Sequence, residues 1–554
     1  MTSWWRPWRI AVAAAAAILI ALVAFLIRFN TLGGSLGGFD NDHFIYLVRT
    51  DMLLRGEQPL RDFVDAELRG AWPALTYAVS AWAQQVGGRT LLPEAYLTAG
   101  SLALGYALVS VIALTLSKRW SMSFLAAGVA MATMPKLYNY PKVLALVAGA
   151  WAIRAAVVTP TRVRLAGAAL VTAVAVLFRH DLGVYPAAGV TAGLLAANAG
   201  QLAAAMRYVA TYAGFTAAFL LPSLAWVQIY EGIPAYVRAS RASVAAERAR
   251  TELTLLPFDL SNPLAFDNLE RVTYYAFWSV PVLAAVVFLL RLTRWKGTPL
   301  PAEDRATGVA LLVMAVLANM FFLRANLAER FGDSAVAVVL LAAWIVGVAV
   351  FWTPGVMQRL TVLAPATALG VMFAAACLLS DVRRELDTSG LSDSWEKTSR
   401  RYGAVQDELG RMPPATWSDA ESIGTLRAAR YLAECTDLDD AVLVIGPIHE
   451  VPVFARRPFA SGQAMFKLSL YTDDAFQRRA IARLGDQRAT VIVADVEEFE
   501  AFSSDYPLVA HYVSSQYHDA GTVDVEEEPR IRVFAANSRQ PIRSHVAFGL
   551  PCFR

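Results

Sequence analysis

Long apolar stretches alternate with short polar breaks over the first two thirds of the chain, and then the pattern changes. Ile10 to Ile27 is apolar throughout, long enough as a helix to cross a hydrocarbon layer of about 30 Å. Similar runs recur near 71–86, 95–117, 122–134, 142–158, 164–178, 183–199, 205–229, 272–291, 307–323, 335–352 and 360–380. From Asp381 onward charge is frequent and no run is long enough to span. Helical spacing of apolar residues then fits 394–410, 421–434 and 474–484, and short β-branched runs fit strands at 441–445, 491–494, 520–526 and 530–535. The pattern predicts an all-α polytopic membrane domain over 1–380, followed by a small α/β soluble domain over 381–554. No Gly-rich phosphate loop follows the early strands, which argues against a nucleotide site in the tail.

Flanking charge orients the runs. Trp4, Trp5, Arg6, Trp8 and Arg9 form a basic, aromatic flank that places the N-terminus inside. Arg291, Arg294 and Lys296 mark a second inner loop, so the 29–70 loop, the 231–271 loop and the tail lie outside. These assignments require an odd number of crossings, about 11 or 13. They describe an inner-membrane protein with an extracytoplasmic C-terminal domain. Composition agrees: 56% of residues are hydrophobic and 17% charged, where soluble domains carry about 25% charge. The net charge of +3 comes with no basic, aromatic-interleaved patch, so no nucleic acid partner is expected. Of three cysteines, Cys377 falls in the last apolar run, while Cys435 and Cys552 fall in the tail. An external tail meets oxidising conditions, which opens a disulfide between those two.

The most informative segment is the first external loop, Gly37 to Trp82. Phe44, Ile45, Leu47, Val48, Met52 and Leu53 suit a helix over His43 to Leu54, lying on the membrane surface. Asp42 stands where a carboxylate caps free amides, and Gly56 stands where such a helix ends. Beyond it come Pro59, Arg61, Asp62, Phe63 and Asp65, then Pro73 opening the next run.

Asp42, Tyr46, Leu54, Gly56, Pro59, Arg61-Asp62-Phe63 and Asp65 together resemble the first external loop of polyprenyl-phosphate-sugar-dependent glycosyltransferases. These belong to the membrane GT-C superfamily, here its bacterial protein-mannosyltransferase-like branch. The chain departs from that branch at Leu60, where a tyrosine is usual, at Trp72-Pro73 in place of Gly-Pro, and at His43 in place of an acid. Asp40-Asn41-Asp42 keeps two acids, as in the superfamily's modified Asp-x-Asp signature. The resemblance implies a GT-C-like fold, a polyprenyl-phosphate-linked sugar donor held at the lipid bilayer, and a glycan, lipid or protein acceptor. Asp42 and Asp40 are its catalytic candidates, with Tyr46, Arg61 and Asp62 supporting the loop.

The chemistry suits those residue types. A carboxylate removes the proton from an acceptor hydroxyl, and Arg or Lys neutralises charge growing on the departing phosphate. The candidates for the second task are Lys136 and Lys142 in a tyrosine-rich break, Arg179 in an Arg-His-Asp turn, and Arg324 and Arg330 in a late loop shared with Glu329 and Asp333. Plainer readings stand beside these: helix capping for Asp40 and Asp42, a local ion pair for Arg61 and Asp62, and interfacial snorkelling for the lysines. Asp40, Asp42 and His43 also fit the ligand types of Mn²⁺ or Zn²⁺, so a divalent metal remains an alternative. The 231–271 loop, with Tyr236, Arg238, Arg241, Glu247, Arg248 and Arg250, reads as an amphipathic helix. Competing functions are an oligosaccharide ligase or polymerase of related architecture, and a lipid or solute transporter. Transporters favour internal repeats and midplane polar residues, and few of either are visible.

Overall fold

A computed structural model describes residues 6–32, 39, 41–64, 72–250, 257–292, 300–323, 327–352, 355–412, 424–463, 466, 472–523 and 530–554. In chain order the helices are α1 (Pro7–Asn30), α2 (Asn41–Leu54), α3 (Leu75–Gly87), α4 (Leu91–Ser117), α5 (Trp120–Ala132), α6 (Tyr140–Val158), α7 (Arg162–Phe178), α8 (His180–Ala197), α9 (Leu202–Tyr230), α10 (Ile233–Arg250), α11 (Phe266–Leu292), α12 (Ala302–Asn319), α13 (Leu327–Gly347), α14 (Val356–Leu379), α15 (Val382–Ser389), α16 (Trp395–Leu409) and α17 (Gly424–Cys435). Then follow β1 (Val442–Ile445), α18 (Glu450–Ala455), α19 (Asp474–Gln487), β2 (Val491–Asp495), α20 (Val496–Asp505), α21 (Pro507–Gln516), β3 (Tyr517–Val523), β4 (Ile531–Ala536), β5 (Arg543–Ser544) and β6 (Pro551–Cys552).

Among the described residues, 8 helices are long and apolar enough to cross a membrane: α1, α4, α6, α9, α11, α12, α13 and α14. The chain is therefore a multi-pass membrane protein, with fewer such helices than the crossings expected from the runs. The apolar runs near 71–86 and 122–134 become α3 and α5, each of 13 residues. A helix that short extends only about 20 Å. The run at 164–178 becomes α7, of 17 residues, and α8 opens on His180 and Asp181.

The chain forms two compact units. The first comprises 1–31, 98–223 and 251–401, and the second 32–97, 224–250 and 402–554. Compactness thus follows a different line from composition: the first unit runs past residue 381 to Arg401. Within the first unit α13 is the core. Every side chain from Phe331 to Val346 is buried, as a helix apolar on all faces requires. α5, α6, α11, α12 and α14 pack around it. The Trp344 indole stacks on Phe288 at 4.9 Å and donates to the Asp304 carbonyl at 2.9 Å.

The second unit carries a four-stranded sheet in the order β1-β2-β4-β3. β1 and β2 are parallel, and β4 runs antiparallel to both its neighbours. β1 and β2 are buried at every position, as strands covered on both faces must be. Cys435, at the end of α17, is disulfide-bonded to Cys552 in β6, with Cα atoms 4.2 Å apart. Cys377 is free and half-buried.

The helix expected on the membrane surface is present as α2, but it is enclosed. Phe44, Ile45, Tyr46, Leu47, Val48 and Met52 are buried, and so are His43, Arg49 and Thr50. α2 packs on α3 and α18, with Phe44 edge-on to Phe454 at 5.1 Å. An apolar helical stripe reports only that something must cover it. Here the cover is protein, α3 on one side and α18 of the tail on the other.

Candidate functional site

Asp42 lies in the first turn of α2 and is half-buried. The residue beside it anchors the helix. His43 Nε2 lies 2.8 Å from Glu94 Oε1, and Ser80 Oγ donates to Glu94 Oε2, so one carboxylate ties α2, α3 and α4 together. His43 is 1% exposed and Glu94 3%. Tyr46 is buried one turn on from Asp42, with the Arg49 guanidinium 5.3 Å from its ring centroid. Thr50 Oγ1 donates to the Tyr46 carbonyl at 2.8 Å.

The loop after Gly56 is built by its own motif residues. Leu60 N–H donates to the Phe63 carbonyl at 2.8 Å, and the Gln58 amide donates to Asp62 Oδ2 at 2.7 Å. Arg61 Nε donates to both Asp62 oxygens, at 3.0 and 2.9 Å. That bond holds the Asp62 carboxyl below its ordinary value. Arg61 and Asp62 therefore form the local ion pair that the plainer reading offered. The loop then docks on the tail: Val64 N–H donates to the Gly462 carbonyl at 2.9 Å, and Glu57 Oε2 meets Arg483 Nη2 at 2.8 Å. Burial raises the Glu57 pKa against the opposing pull of Arg483. Trp226 Nε1 donates to the Pro59 carbonyl at 3.0 Å, and Tyr236 of α10 donates to the Trp72 carbonyl at 2.8 Å.

The other candidates lie in the first unit, where α6 begins. Lys142 is 1% exposed, with its ammonium 2.9 Å from Asp333 Oδ2 and 3.7 Å from the Phe321 ring centroid. Arg179 bridges both oxygens of Asp181, at 2.7 and 2.8 Å, and reaches Asn139 Oδ1 at 3.4 Å. Lys136 stands 3.4 Å from Glu329, on the first turn of α13. Arg28, which sequence reasoning passed over, donates to the Pro135 carbonyl at 2.6 Å from the end of α1. Gly332 admits this closeness, because a Cβ there would fall 2.7 Å from Pro135 Cα. Arg330 is half-buried on α13. Four separate segments thus bring cations and carboxylates together at one end of the unit.

Asp40 and Arg324 lie outside the described residues. So does part of the metal reading that joined Asp40 to Asp42 and His43. Among the described residues no group of three or more His, Cys, Asp or Glu could hold a metal ion. Sequence reasoning missed Glu94 as the partner of His43, and nothing local signals a pair 51 residues apart.

No family model matches the chain, and no curated protein matches it. Among solved structures it is similar to the archaeal oligosaccharyltransferase AglB from Archaeoglobus fulgidus, solved in complex with an inhibitory peptide and a dolichol-phosphate. That match has 11% identity and a TM-score of 0.45, and it covers 95% of this chain and 75% of the other.

Proposed function

We propose that this chain is a membrane glycosyltransferase of the GT-C type, allied to the bacterial protein-mannosyltransferase-like branch. It moves a sugar from a polyprenyl-phosphate donor to an extracytoplasmic glycan, lipid or protein. Asp42 takes the proton of the acceptor hydroxyl. The freed oxygen attacks the anomeric carbon, the bond from that carbon to the phosphate oxygen breaks, and polyprenyl phosphate leaves with the electron pair. Lys136, Lys142, Arg179, Arg324 and Arg330 are the proposed cations for that phosphate, and Asp40 is a second acid near the base.

The observation that supports this reading most directly is the construction of the first loop. Gln58 to Phe63 close a hydrogen-bonded loop after α2, Arg61 pairs with Asp62 within it, Tyr46 is buried in the helix, and Asp42 sits half-exposed at the helix's N-terminal end. A base held in a solvent-reachable first turn, on a helix pinned by His43 and Glu94, meets the positional demand of proton abstraction. Lys142 and Asp333 add a second argument. Buried ion pairs within membrane helices are expensive and are found where a charge is needed. The Cys435–Cys552 bond suits a tail on the oxidising, external face, with the N-terminus inside.

The Lys142–Asp333 pair would also serve a lipid or solute transporter, so the test must read chemistry. Purified protein given a synthetic polyprenyl-phosphate sugar and an acceptor extract should release polyprenyl phosphate. Asp42→Asn keeps shape and loses proton affinity, and should reduce transfer on the order of 10² to 10⁴-fold with unchanged folding. Asp40→Asn should cost less. Full activity in Asp42→Asn would overturn the assignment of the base.

A further inference from the structure

We propose that the segment 257–265, which leads into α11, is an anchor that seats in the interfacial layer of the bilayer, with lipid acyl chains as its partner. It lies wholly in the first unit. Its side chains are arranged inside out for a loop in water. Phe258, Leu260 and Leu264 are exposed, as is Phe266 at the start of α11, and Leu260 shows 90% of its surface. The residues buried behind them are polar: Asn268 and Arg271, from the first turns of α11.

Those two residues build the loop. Asn268 Nδ2 donates to the carbonyls of Asp259 and Asn262, at 2.6 and 2.8 Å, and its Oδ1 accepts from the Asp259 amide at 3.0 Å. Arg271 donates to the Pro257 carbonyl and to Asn268 Oδ1. The Ser261 amide and hydroxyl both donate to Asp259 Oδ1, and the Ala265 amide donates to the Asn262 carbonyl. Pro257 and Pro263 have no amide proton to satisfy. A loop in water can leave such groups to solvent, whereas a backbone that meets lipid must satisfy them internally. The polar hub therefore holds the apolar side chains outward.

The depth of the segment follows from its packing on α11. That helix has 27 residues, about 40 Å at 1.5 Å each, and so exceeds a hydrocarbon layer of about 30 Å by roughly 10 Å. Even with all of that excess at this end, hydrocarbon begins near Thr273. The loop runs back along the flank of the helix to that level, where the Phe258 ring lies 6.1 Å from the Tyr275 ring. Tyr275 is exposed and shares one helical stripe with the exposed Val282, Val286 and Leu289, the face a spanning helix turns to lipid. Phe258 widens that stripe. Asp259 and Asp267 are exposed too, which sets the seat at the interface rather than deeper. Continuity with a lipid-facing stripe makes lipid, not a protein, the cover for these apolar groups.

The anchor reaches the candidate site. Glu270 Oε1 accepts from the Ala328 amide at 2.8 Å, which couples the first turns of α11 and α13, and the neighbouring Glu329 pairs with Lys136. The anchor thus fixes the height of Lys136 and Arg330 against the lipid phosphates, a consequence that rests on the donor reading above. The test is label depth on the full chain in phosphatidylcholine nanodiscs. In a Cys377→Ala background, with Cys435 and Cys552 bonded to each other, Leu260→Cys and Leu264→Cys each carry one nitroxide. Collision with oxygen and with a nickel chelate reads its depth. Both labels should lie about 5–10 Å below the lipid phosphates, the depth of an interfacial apolar face. Val282→Cys should read deeper, and Arg478→Cys, exposed in the tail, should be open to the chelate. Labels at 260 and 264 as open to the chelate as the one at 478 would overturn the anchor. Labels shielded from both reagents would overturn it as well, because the cover would then be protein. Depth is read without sugar transfer, so labels at the expected depth in a protein that transfers no sugar would uphold the anchor and remove only the donor reading.

Discussion

Glu94→Ala removes one carboxylate that serves two partners from different helices. In the wild type its oxygens accept from His43 and Ser80 with 3% of the residue exposed, so no water can replace it without rearrangement. Losing a hydrogen bond to a charged group costs about 1.5–3 kcal/mol, and losing the second adds about 1 kcal/mol. His43 would remain almost fully buried beside the space left behind. The expected loss is therefore about 3–4 kcal/mol. For domains of 150–250 residues each kcal/mol lowers Tm by about 2–4 °C, which predicts a fall of roughly 6–16 °C. Tryptophan fluorescence during heating of the detergent-solubilised protein reads this. Because His43 follows Asp42 directly, sugar transfer should fall even well below the new Tm. Glu94→Gln, which keeps an acceptor for each partner, should restore most of both. A Glu94→Ala protein that melts within about 2 °C of wild type would refute the reasoning, since the shared carboxylate would then bear no weight.

The disulfide closes a loop with a sequence separation of 117, for which chain entropy gives about 4–5 kcal/mol. Cys552→Ser should therefore make the tail cleavable by protease at temperatures where the wild type resists, and reductant should do the same to the wild type. Equal resistance in all three samples would count against it. Glu450, on α18, has its pKa raised to about 7 by burial, opposed by a hydrogen bond from Thr425. The proton bound more tightly in the fold contributes stability that is full below about 4.5 and is lost as pH rises through about 7. Glu450→Gln should flatten the decline in melting temperature between pH 5 and pH 8, and an unchanged slope would remove the carboxyl as its source.

Local pattern carried much of the architecture. The strand expected at 491–494 is β2, the helix expected at 394–410 is α16, and α2 covers the predicted His43–Leu54 stretch. These are short-range properties: β-branched runs, helical periodicity, and Gly56 at φ 89° just past the end of α2. Register between distant segments was hidden. Phe44 meets Phe454, Val64 meets Gly462 and Glu57 meets Arg483 across hundreds of residues, and neither spacing nor composition encodes such pairs. The same limit explains the error over α2, whose apolar residues specify burial without naming the cover. In the candidate site, the Arg61–Asp62 pair was readable because its members are adjacent. The partnership of Lys142 with Asp333 was not, although both stood out as charges near apolar runs.

The docking of the first loop on the tail has a consequence for how the protein is made. The α2 surface that carries Phe44 leaves the ribosome roughly 400 residues before the helix that carries Phe454. At about 5–20 residues per second this amounts to roughly 20–80 s. Throughout that interval the apolar side of α2 lacks its final cover, so the nascent chain must shelter it against lipid or a chaperone. A transcript cut short anywhere before α18 would yield a membrane-inserted product with that surface permanently bare, open to aggregation and quality-control proteolysis.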